Sequence, residues 1–577
     1  MNLLKYILPF PIFLLSAVFS GAQSWPNPDY PKDYFQWPLK LAPALVANFG
    51  ELRPNHYHMG LDCRTEQKQN QLVLAAAPGY IAKVKIEPFG FGRCIYINHP
   101  NGMTTVYAHL NDFNPDLEKY VTAQQYSLKS WKVFLDIPAG LFPVTKGQFI
   151  AFSGTTGGSS GPHLHFEIRD TKTDKVLNPL LFGLPVTDKI APDILRLAVY
   201  DRNLSTYEQS PQLLMLKQKN GVYAPLQPLL RSGSSKVSFG ISAFDRYTGS
   251  TSHNGIFQAL IFENDLPVIG FRMNDIGYDE TRFLNAHIDY KLRASGGPFV
   301  QHLSRLPGYP EGIYKNFNGN GVINLADDSI HRIRIEVKDA AGNSSELRFD
   351  IRYDPAITKK AGPSSVIGAT QKEFYPGTKN GYLNESIVLL LDEKCLYDSF
   401  RFQYAETAMP GGNPLFHLHN NTVPLHLPFF LKIKGKIPTG LREKVMVQRS
   451  WNSKYSYAVG EPMKGQDEGW FMTAFREFGD FRLLVDTLPP LITPIGFTDG
   501  MNMYAQKRLA FIVTDNTDDL RSFTATLDGK WLRFSNDKGK IFIHNFDEMC
   551  SPGHHELVVT AEDAVGNRTE KRYHFVK

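Results

Sequence analysis

The alternation of apolar and polar residues predicts β-strands along most of this chain. Residues 163–168 (HLHFEI) alternate strictly, which is typical of a half-buried strand. Side chains at positions i and i+2 of a strand point to the same face, so His163 and His165 project together while the apolar residues between them face a core. The preceding residues, 153–162 (SGTTGGSSGP), predict a glycine-rich turn whose backbone can approach a ligand closely.

A β-hairpin is predicted upstream of this strand. Residues 93–98 and 103–109 are rich in β-forming side chains, and residues 99–102 (HPNG) separate them. An Asn-Gly pair between two such runs is a strong hairpin signal. The hairpin places His109 at the far end of its second strand, where it can reach His163 and His165.

The segment 111–145 carries a helix signal. Asn114 can cap the helix because its side-chain oxygen can accept a free backbone N–H of the first turn, and Pro115 suits the first position because the N–H that it lacks would have no partner there. The apolar residues that fall near one face are Leu117, Val121 and Leu128. Two interpretations stay open, a packed surface helix or a lid over a substrate groove.

The chain repeats itself after residue 187. Residues 188–194 match residues 486–492, and residues 335–343 match residues 559–567, with the later pair sharing a D-A-x-G-N turn. Each unit opens with a proline-bearing strand and closes with two strands around that turn, which predicts immunoglobulin-like β-sandwiches. The fold class predicted for the whole chain is therefore mainly β.

These patterns divide the chain into six segments. They are a signal peptide at 1–22, a lead segment at 23–44, a compact antiparallel β-domain at 45–187, an immunoglobulin-like domain at 188–354 that carries an insertion around 250–325, a β-rich domain at 355–486 and a C-terminal immunoglobulin-like sandwich at 487–577. Nothing in the segments after 187 predicts a second catalytic site, so these domains are expected to be spacers, binding modules or surfaces for a protein partner.

The N-terminus has the pattern of an export signal. Basic Lys5 precedes the apolar residues 6–19, and small residues follow at 20–22. An uncleaved anchor is the alternative, and Pro9 and Pro11 argue against it by interrupting its helix. No later stretch is long and apolar enough to span a bilayer. We expect the mature chain to be periplasmic or extracellular.

Composition excludes several classes of protein. The 577 residues include 42% hydrophobic and 21% charged residues, as in ordinary globular domains. The net charge of +5 gives no reason to expect nucleic acid binding. Four cysteines are too few for a disulfide scaffold, although the sequence leaves a Cys63–Cys94 bond open.

Candidate chemistry is concentrated in three short motifs. They are HMGLD at 58–62, YAHL at 107–110 and SGPHLHFEI at 160–168. The residues that fit one metal site are His58, Asp62, His109, His163 and His165. Zinc takes imidazole nitrogen and carboxylate oxygen, and a catalytic zinc keeps one position for water. Spacing alone does not separate the metal ligands from catalytic bases.

In this order, the three motifs resemble those of the M23 (lysostaphin/LytM-type) zinc peptidases, which cleave bacterial peptidoglycan. The resemblance covers roughly residues 45–187. It implies that His58, Asp62 and His165 hold Zn²⁺ and that His109 and His163 are the catalytic pair. It also implies a peptide of peptidoglycan as substrate.

The resemblance therefore predicts a zinc metalloendopeptidase that hydrolyses peptidoglycan cross-links. The alternative is a non-catalytic protein of the same fold that binds the wall or activates an amidase. The complete set of motif residues argues against the alternative, because inactive relatives lose one or more of them.

Other residues have the right chemistry in weaker contexts. His417 and His419 form an H-x-H pair without a nearby HxxxD or glycine-rich turn, so they predict an ordinary strand. His56 is predicted to be a supporting or surface residue. Glu167 shares a strand face with His165; it could orient a ligand, but the interpretation favoured here is a solvated strand end.

Overall fold

A computed structural model describes residues 25–357, 370–410 and 412–577. The predicted signal peptide at 1–22 lies outside the described residues. The structure is mainly β, which confirms the predicted fold class. Within the described ranges, no helix is long and apolar enough to cross a membrane.

The first domain is built on one antiparallel sheet. In spatial order its main strands are Leu45–Ala47, Leu61–Arg64, His163–Asp170, Met103–Ala108, Arg93–Asn98, Gly79–Ile86 and Val133–Asp136, with Pro143–Val144 and Val176–Leu177 at its margins. A smaller sheet contains Leu72–Leu74, Phe149–Ser153 and Leu110–Phe113, and a two-stranded ribbon contains Leu52–Arg53 and His56–Tyr57. A shared apolar core lies between the two larger sheets and includes Leu164 and Phe166.

The predicted hairpin and strand are present. Strands Arg93–Asn98 and Met103–Ala108 pair around the 99–102 turn, and the predicted 163–168 strand extends from His163 to Asp170. The strand differs from the prediction in being buried on both faces. Its second face is covered by histidines, a loop and a residue of the following domain, which the local alternation could not reveal.

The segment 111–145 contains a helix, Pro115–Leu128, and Asn114 accepts a hydrogen bond from the N–H of Leu117 at 3.1 Å. Leu117 and Val121 are buried as predicted, whereas Leu128 is 57% exposed and the prediction for it was wrong. The buried polar residue of the helix, Gln125, occupies the face that Leu128 was expected to share.

The second domain has one continuous sheet. Its strands in spatial order are Gln301–His302, Lys236–Phe244, Asp193–Asp201, Gln212–Lys219, Val222–Pro225, Ser344–Tyr353, His331–Lys338, Gln258–Glu263, Leu266–Arg272 and Tyr314–Asn316, with Leu229–Ser232 and Ile323–Asn324 at its margins. Two short helices, Leu284–His287 and Tyr290–Ala294, lie in the predicted insertion. Among the described residues, the largest apolar cluster lies mainly in this domain.

The remaining two domains each consist of two sheets around a core. The third has strands Thr370–Phe374, Phe400–Thr407, Leu415–Leu418, Gly479–Val485, Val445–Trp451 and Lys454–Val459 in one sheet and Asn380–Leu383, Ile387–Leu391, Phe429–Lys434, Trp470–Phe475 and Glu461–Pro462 in the other. The fourth has Leu491–Pro494, Arg508–Thr514 and Ile541–Asn545 facing Met501–Asn502, Arg568–Val576, His554–Asp563, Leu520–Leu527 and Lys530–Trp531. The classification of the second and fourth domains as immunoglobulin-like stays a prediction.

Candidate metal centre and groove

Strand pairing brings three of the predicted site residues together. Asp62 lies directly opposite His165 in the antiparallel pair formed by Leu61–Arg64 and His163–Asp170, and His58 precedes the first of these strands. The Nε2 of His58 lies 2.9 Å from Asp62 Oδ1, and the Nδ1 of His165 lies 3.1 Å from the same oxygen. The two ring nitrogens are 3.1 Å apart.

Hydrogen bonds on the outer side of the rings orient these nitrogens. The Nδ1 of His58 donates to the carbonyl oxygen of Asn48 at 2.7 Å. The Nε2 of His165 donates to Glu167 Oε1 at 2.9 Å. Each outer nitrogen holds its proton for these acceptors, so the inner nitrogens, which face Asp62, are the ones that can give up a proton and offer a lone pair to a metal ion.

Two lone pairs and a carboxylate that converge in this way attract a cation. Burial alone would lower the pKa of His165, but its hydrogen bonds to Asp62 and Glu167 raise it to about 9. Burial would raise the pKa of Asp62, yet the charge of His58 and bonds from the histidines hold it well below its usual value. A proton or a metal ion satisfies the same electrostatic demand, and the donor set of two imidazoles and one carboxylate fits zinc.

A buried chain of polar groups supports His165 from behind. Glu167 has an exposed fraction of 0%, so the prediction of a solvated strand end was wrong. Arg169 Nε donates to Glu167 Oε2 at 2.6 Å, and the hydroxyl of Tyr278 donates to Oε1 of the same carboxylate. Burial would raise the pKa of Glu167, but the charge of Arg169 and the bond from His165 lower it to about 2. Glu167 is therefore an ionised acceptor that fixes the ring of His165.

The other two predicted site residues lie beside this centre. The Nδ1 of His109 donates to the carbonyl oxygen of Thr156 at 2.8 Å, and the Nδ1 of His163 donates to that of Gly161 at 2.8 Å. The two rings are 4.8 Å apart between centroids, and His163 Nε2 is 3.4 Å from Asp62 Oδ1. Both rings thus direct Nε2 towards the space between them and the metal centre.

The position of His109 depends on an unusual backbone conformation. Its φ of 59° lies in the left-handed region, directly after the strand Met103–Ala108. This turn carries the chain from the main sheet into the smaller one and swings the side chain towards His163. Burial, together with the nearby charges of His165 and His163, lowers the pKa of His109 to about 3. His109 is consequently neutral at physiological pH and available as a base.

At two positions, neighbouring atoms lie so close to the backbone that only glycine fits. A Cβ at Gly60 would lie 2.6 Å from the carbonyl oxygen of Phe166 and 2.9 Å from the ring of His165. Gly157 has φ of +70°, and a Cβ there would lie 2.2 Å from the backbone nitrogen of Gly92. The glycine-rich turn therefore packs backbone to backbone on the 87–92 loop, which explains its composition.

The five residues line a groove of about 720 Å³. Its walls include the aromatic side chains Phe91, Tyr96 and Tyr278, with the cation Arg53 near Asp62 at 3.6 Å. Tyr278 comes from the second domain, within the region predicted to be an insertion. No local sequence pattern singled it out, because its role depends on how two domains pack.

The fourth domain also reaches the rim of the groove. Asp537 Oδ1 accepts a hydrogen bond from the N–H of Gly157 at 2.7 Å, and Lys538 Nζ donates to the carbonyl oxygen of Ser159 at 3.0 Å. The N–H of Lys538 donates to the carbonyl oxygen of Pro88 at 2.8 Å. The glycine-rich turn is thus fixed between the 87–92 loop and the last domain of the chain.

The helix Pro115–Leu128 also contacts the fourth domain. Arg533 donates to Gln125 Oε1 at 2.8 Å and to Thr122 at 3.1 Å, and Tyr126 donates to Asp547 at 2.9 Å. The residues that line the groove include none from the predicted lid 111–145. In the described structure the helix is packed, and its contact with the fourth domain goes beyond the packed surface helix of the first interpretation.

The weaker candidates lie outside the metal centre. His56 is exposed at the groove mouth, where its Nδ1 donates to the carbonyl oxygen of Pro54. His417 lies in the strand Leu415–Leu418 and binds Asp480. Cys63 and Cys94 are both free and buried, so the disulfide that the sequence left open is not formed in the described structure.

Comparison with known proteins identifies the first domain. Residues 56–126 match the family described as Peptidase family M23. The chain contains an M23 peptidase domain. The match includes His58, Asp62 and His109, whereas His163 and His165 follow it. Membership of this metallopeptidase family implies a metal ion in the domain. Residues 371–486 match a Zu5-like domain, which lies within the predicted β-rich segment 355–486.

Relatives of the M23 domain include two curated bacterial proteins. An "Uncharacterized metalloprotease" of Haemophilus influenzae is 34% identical over 165 residues, covering 27% of this chain and 28% of the relative. A "DD-carboxypeptidase/endopeptidase Mpg" of Neisseria meningitidis is 32% identical over 136 residues, covering 24% and 25%. This chain therefore spans about a quarter of the length of these relatives.

Solved structures that match about a quarter of this chain include two peptidases. The catalytic domain of lysostaphin from Staphylococcus simulans is 23% identical, with 24% of this chain and 88% of that chain covered and a TM-score of 0.18. A zinc-containing peptidase from Vibrio cholerae is also 23% identical, with 26% and 39% covered and a TM-score of 0.19.

Proposed function

We propose that this protein is a zinc-dependent endopeptidase that hydrolyses peptide cross-links of bacterial peptidoglycan. The single observation that carries the proposal is the convergence of His58 Nε2, His165 Nδ1 and Asp62 Oδ1 within 3.1 Å of one another, beside two more histidines. The M23 domain supports the peptidase activity. The names of relatives, a DD-carboxypeptidase/endopeptidase and a cell division protein, support the cell wall as its place of action.

Zinc is the proposed metal because its ligands match the donors present. His58, Asp62 and His165 would hold it, and each histidine already has the outer hydrogen bond that sets its tautomer. When bound, zinc supplies Lewis acidity that activates water and polarises a carbonyl group. The remaining chemistry belongs to side chains of the protein.

His109 and His163 are proposed to move the proton and to stabilise charge. His109 is neutral because its pKa is lowered to about 3, so its Nε2 can accept a proton from the attacking water. His163, whose Nδ1–H is held by Gly161, directs its Nε2 to the same space and, when its ring carries a second proton on Nε2, can donate that proton's hydrogen bond to the oxyanion that develops on the substrate carbonyl. The two rings are held by backbone carbonyls, so they need little reorganisation during the reaction.

The groove suits an extended peptide with charged groups. Its aromatic walls offer apolar contact, while Arg53 provides a positive charge close to the metal centre. The open groove leaves room for substrate to extend on both sides of the scissile bond. Arg53 is proposed to bind a substrate carboxylate, a group that the stem peptides of peptidoglycan carry.

The test combines metal analysis with digestion of purified sacculi. The full mature chain should bind one zinc ion at this site and release peptide fragments that mass spectrometry assigns to cleaved cross-links. His165→Ala and Asp62→Ala should lose both zinc and hydrolysis, because each removes a ligand. His417→Ala is the matched control, because His417 lies in the third domain and binds an aspartate there. This variant should retain both zinc and hydrolysis.

The outcomes separate the proposal from its alternative. A protein that holds no zinc and releases no fragments, yet binds sacculi or stimulates an amidase, would be a non-catalytic wall protein. Zinc and hydrolysis that persist fully in His165→Ala would show that the ligand assignment is wrong.

A further inference from the structure

The second and fourth domains share a detailed hydrogen-bond pattern at their closing turns. Asp339 Oδ1 accepts a bond from the N–H of Asn343 at 2.8 Å, and its Oδ2 accepts one from the side-chain amide of Asn343 at 2.6 Å. In the fourth domain, Asp563 makes the same two contacts with Asn567 at 2.8 and 2.7 Å. The D-A-x-G-N repeat of the sequence thus fixes one carboxylate in each domain.

The same two asparagines also bind the first residues of each domain and so bring them close to this carboxylate. Asn343 Nδ2 donates to the carbonyl oxygen of Asp188 at 3.5 Å, and Asn567 Nδ2 donates to that of Asp486 at 3.1 Å. The two opening aspartates therefore occupy equivalent positions, each at the junction with the preceding domain.

A third aspartate completes each group. Asp245 follows the strand Lys236–Phe244, and Asp515 follows the strand Arg508–Thr514. In each group, one carboxylate oxygen from every member lies within 4.8 Å of the others. The junction triad is Asp188, Asp245 and Asp339, and the distal triad is Asp486, Asp515 and Asp563.

The triads contain buried oxygens without a hydrogen-bond partner. Asp245 is 1% exposed, and neither of its carboxylate oxygens has a partner among the described residues. Asp188 Oδ2 is also unpartnered. In the distal triad the same is true of Asp486 Oδ2 and Asp515 Oδ1. Buried carboxylate oxygens of this kind require a counter-charge, because desolvation is otherwise uncompensated.

No cation of the described residues is paired with a carboxylate of the junction triad. The adjacent cation, Arg246, is paired with Asp193 at 2.6 Å. Burial, with the charges of Asp188 and Asp339, raises the pKa of Asp245 to about 8. Burial also raises the pKa of Asp188 to about 6. Without a cation between them, these carboxylates repel one another, and only the uptake of a proton relieves the repulsion.

We propose that the junction triad and the distal triad each bind a calcium ion. Calcium is a hard cation that takes carboxylate and carbonyl oxygens, whereas zinc prefers the nitrogen-containing set of the M23 domain. Calcium also tolerates irregular geometry, which suits ligands from three separate segments, while magnesium demands a near-ideal octahedron.

Calcium at the junction triad is connected to the metal centre by a short series of contacts. The backbone of Asp245 exchanges two hydrogen bonds with Asn254, both of 2.9 Å. The next residue, Gly255, accepts a bond from Asn48 Nδ2 at 2.7 Å and donates to Asn48 Oδ1 at 2.9 Å. Asn48 in turn holds His58. Calcium should therefore order residues 245–255 and strengthen zinc binding, an effect that rests on the proposed ligand role of His58.

The experiment measures calcium binding to the full mature chain after chelation and dialysis. Isothermal titration and native mass spectrometry should show two calcium ions in the wild type and one in either Asp245→Asn or Asp515→Asn. The double variant should bind none. Asparagine retains the shape of the side chain and removes its charge. Asp136→Asn, which changes an exposed aspartate outside both triads, is the control and should bind two.

Zinc retention measured in the presence of calcium tests the connection. Asp245→Asn should lose zinc to a competing chelator faster than Asp515→Asn, and the latter should behave as the wild type. Equal zinc loss from both variants would overturn the connection. A chain that binds two calcium ions but no zinc would contradict the proposed function and leave the calcium sites standing.

Different results would overturn the proposal of the two calcium sites. Absence of calcium binding to the wild type, or binding that survives the double variant, would overturn them. The carboxylates would then be held by shared protons, and Asp245→Asn would be as stable as the wild type, or more so, in thermal denaturation with chelator. If calcium binds as proposed, the wild type gains thermal stability on calcium addition and the double variant does not.

Discussion

The Nε2 of His165 donates a hydrogen bond of 2.9 Å to Oε1 of Glu167, two residues further along the same strand. The two side chains share a face because strand residues i and i+2 do so. Glu167 is fully buried and is held in turn by Arg169 and Tyr278. One strand thus provides both a proposed metal ligand and the group that fixes its ring.

Replacing Glu167 by Gln should weaken the metal centre without removing a ligand. The change keeps the size of the side chain but removes the charge that holds His165 and Arg169. Loss of such an outer partner typically costs about 10- to 100-fold in metal affinity. Competition with a chromophoric chelator measures the change. Glu118→Gln, which breaks a Glu–Arg pair elsewhere in the same domain, should leave affinity unaltered; equal losses in both variants would reduce Glu167 to a general stabilising role.

His109→Ala should separate metal binding from turnover. The histidine bonds to the carbonyl of Thr156 and is not one of the three converging ligands, so zinc content should remain that of the wild type. Turnover should fall on the order of 10²-fold or more, because a general base is lost. Steady-state hydrolysis and metal analysis on the same preparation check this. Zinc loss would place His109 among the ligands, and normal turnover would leave it a structural residue.

Metal affinity should depend on pH in a defined direction. Without metal, the pKa of His165 is raised to about 9, so below that pH a binding ion must displace its proton. The apparent affinity should therefore rise about tenfold per pH unit through the neutral range and level off near pH 9. Chelator competition at several pH values gives the slope. A flat profile through the neutral range would show that His165 is already deprotonated in the metal-free protein.

The contact between Asp537 and the glycine-rich turn should affect large substrates more than small ones. Asp537→Ala removes the acceptor for the N–H of Gly157 and frees the rim of the groove. We expect hydrolysis of short soluble peptides to change less than about twofold, while cleavage of whole sacculi changes more. Asp499→Ala, an exposed aspartate of the same domain, is the matched control. Parallel changes on both substrates would indicate that the turn acts only on the metal centre.

Local sequence patterns predicted several strands of the first domain. The alternation at 163–168 and the Asn-Gly turn at 99–102 correspond to paired strands of one sheet. These features depend on neighbours within a few residues, which periodicity reports directly. The cap of the helix at Asn114 was predictable for the same reason.

Features that depend on domain packing could not be predicted from local sequence patterns. Tyr278 and Asp537 reach the groove from other domains, and no pattern near either residue indicates this. Glu167 was taken for a solvated strand end because alternation cannot tell whether the polar face of a strand is covered. Leu128 is exposed, and the helix instead uses Gln125 to bind Arg533 of the fourth domain. Periodicity could not indicate this polar contact between domains.

The parts of the groove are synthesised and folded at different times. The hydrogen bond between Gly157 and Asp537 joins residues 380 positions apart. During synthesis, the N-terminal half of the groove is made long before its last support, and contacts of such large sequence separation form slowly. The rim is completed only after the final domain has been translated and folded. A nascent or truncated chain would therefore carry the full set of motif histidines while its groove is still unfinished.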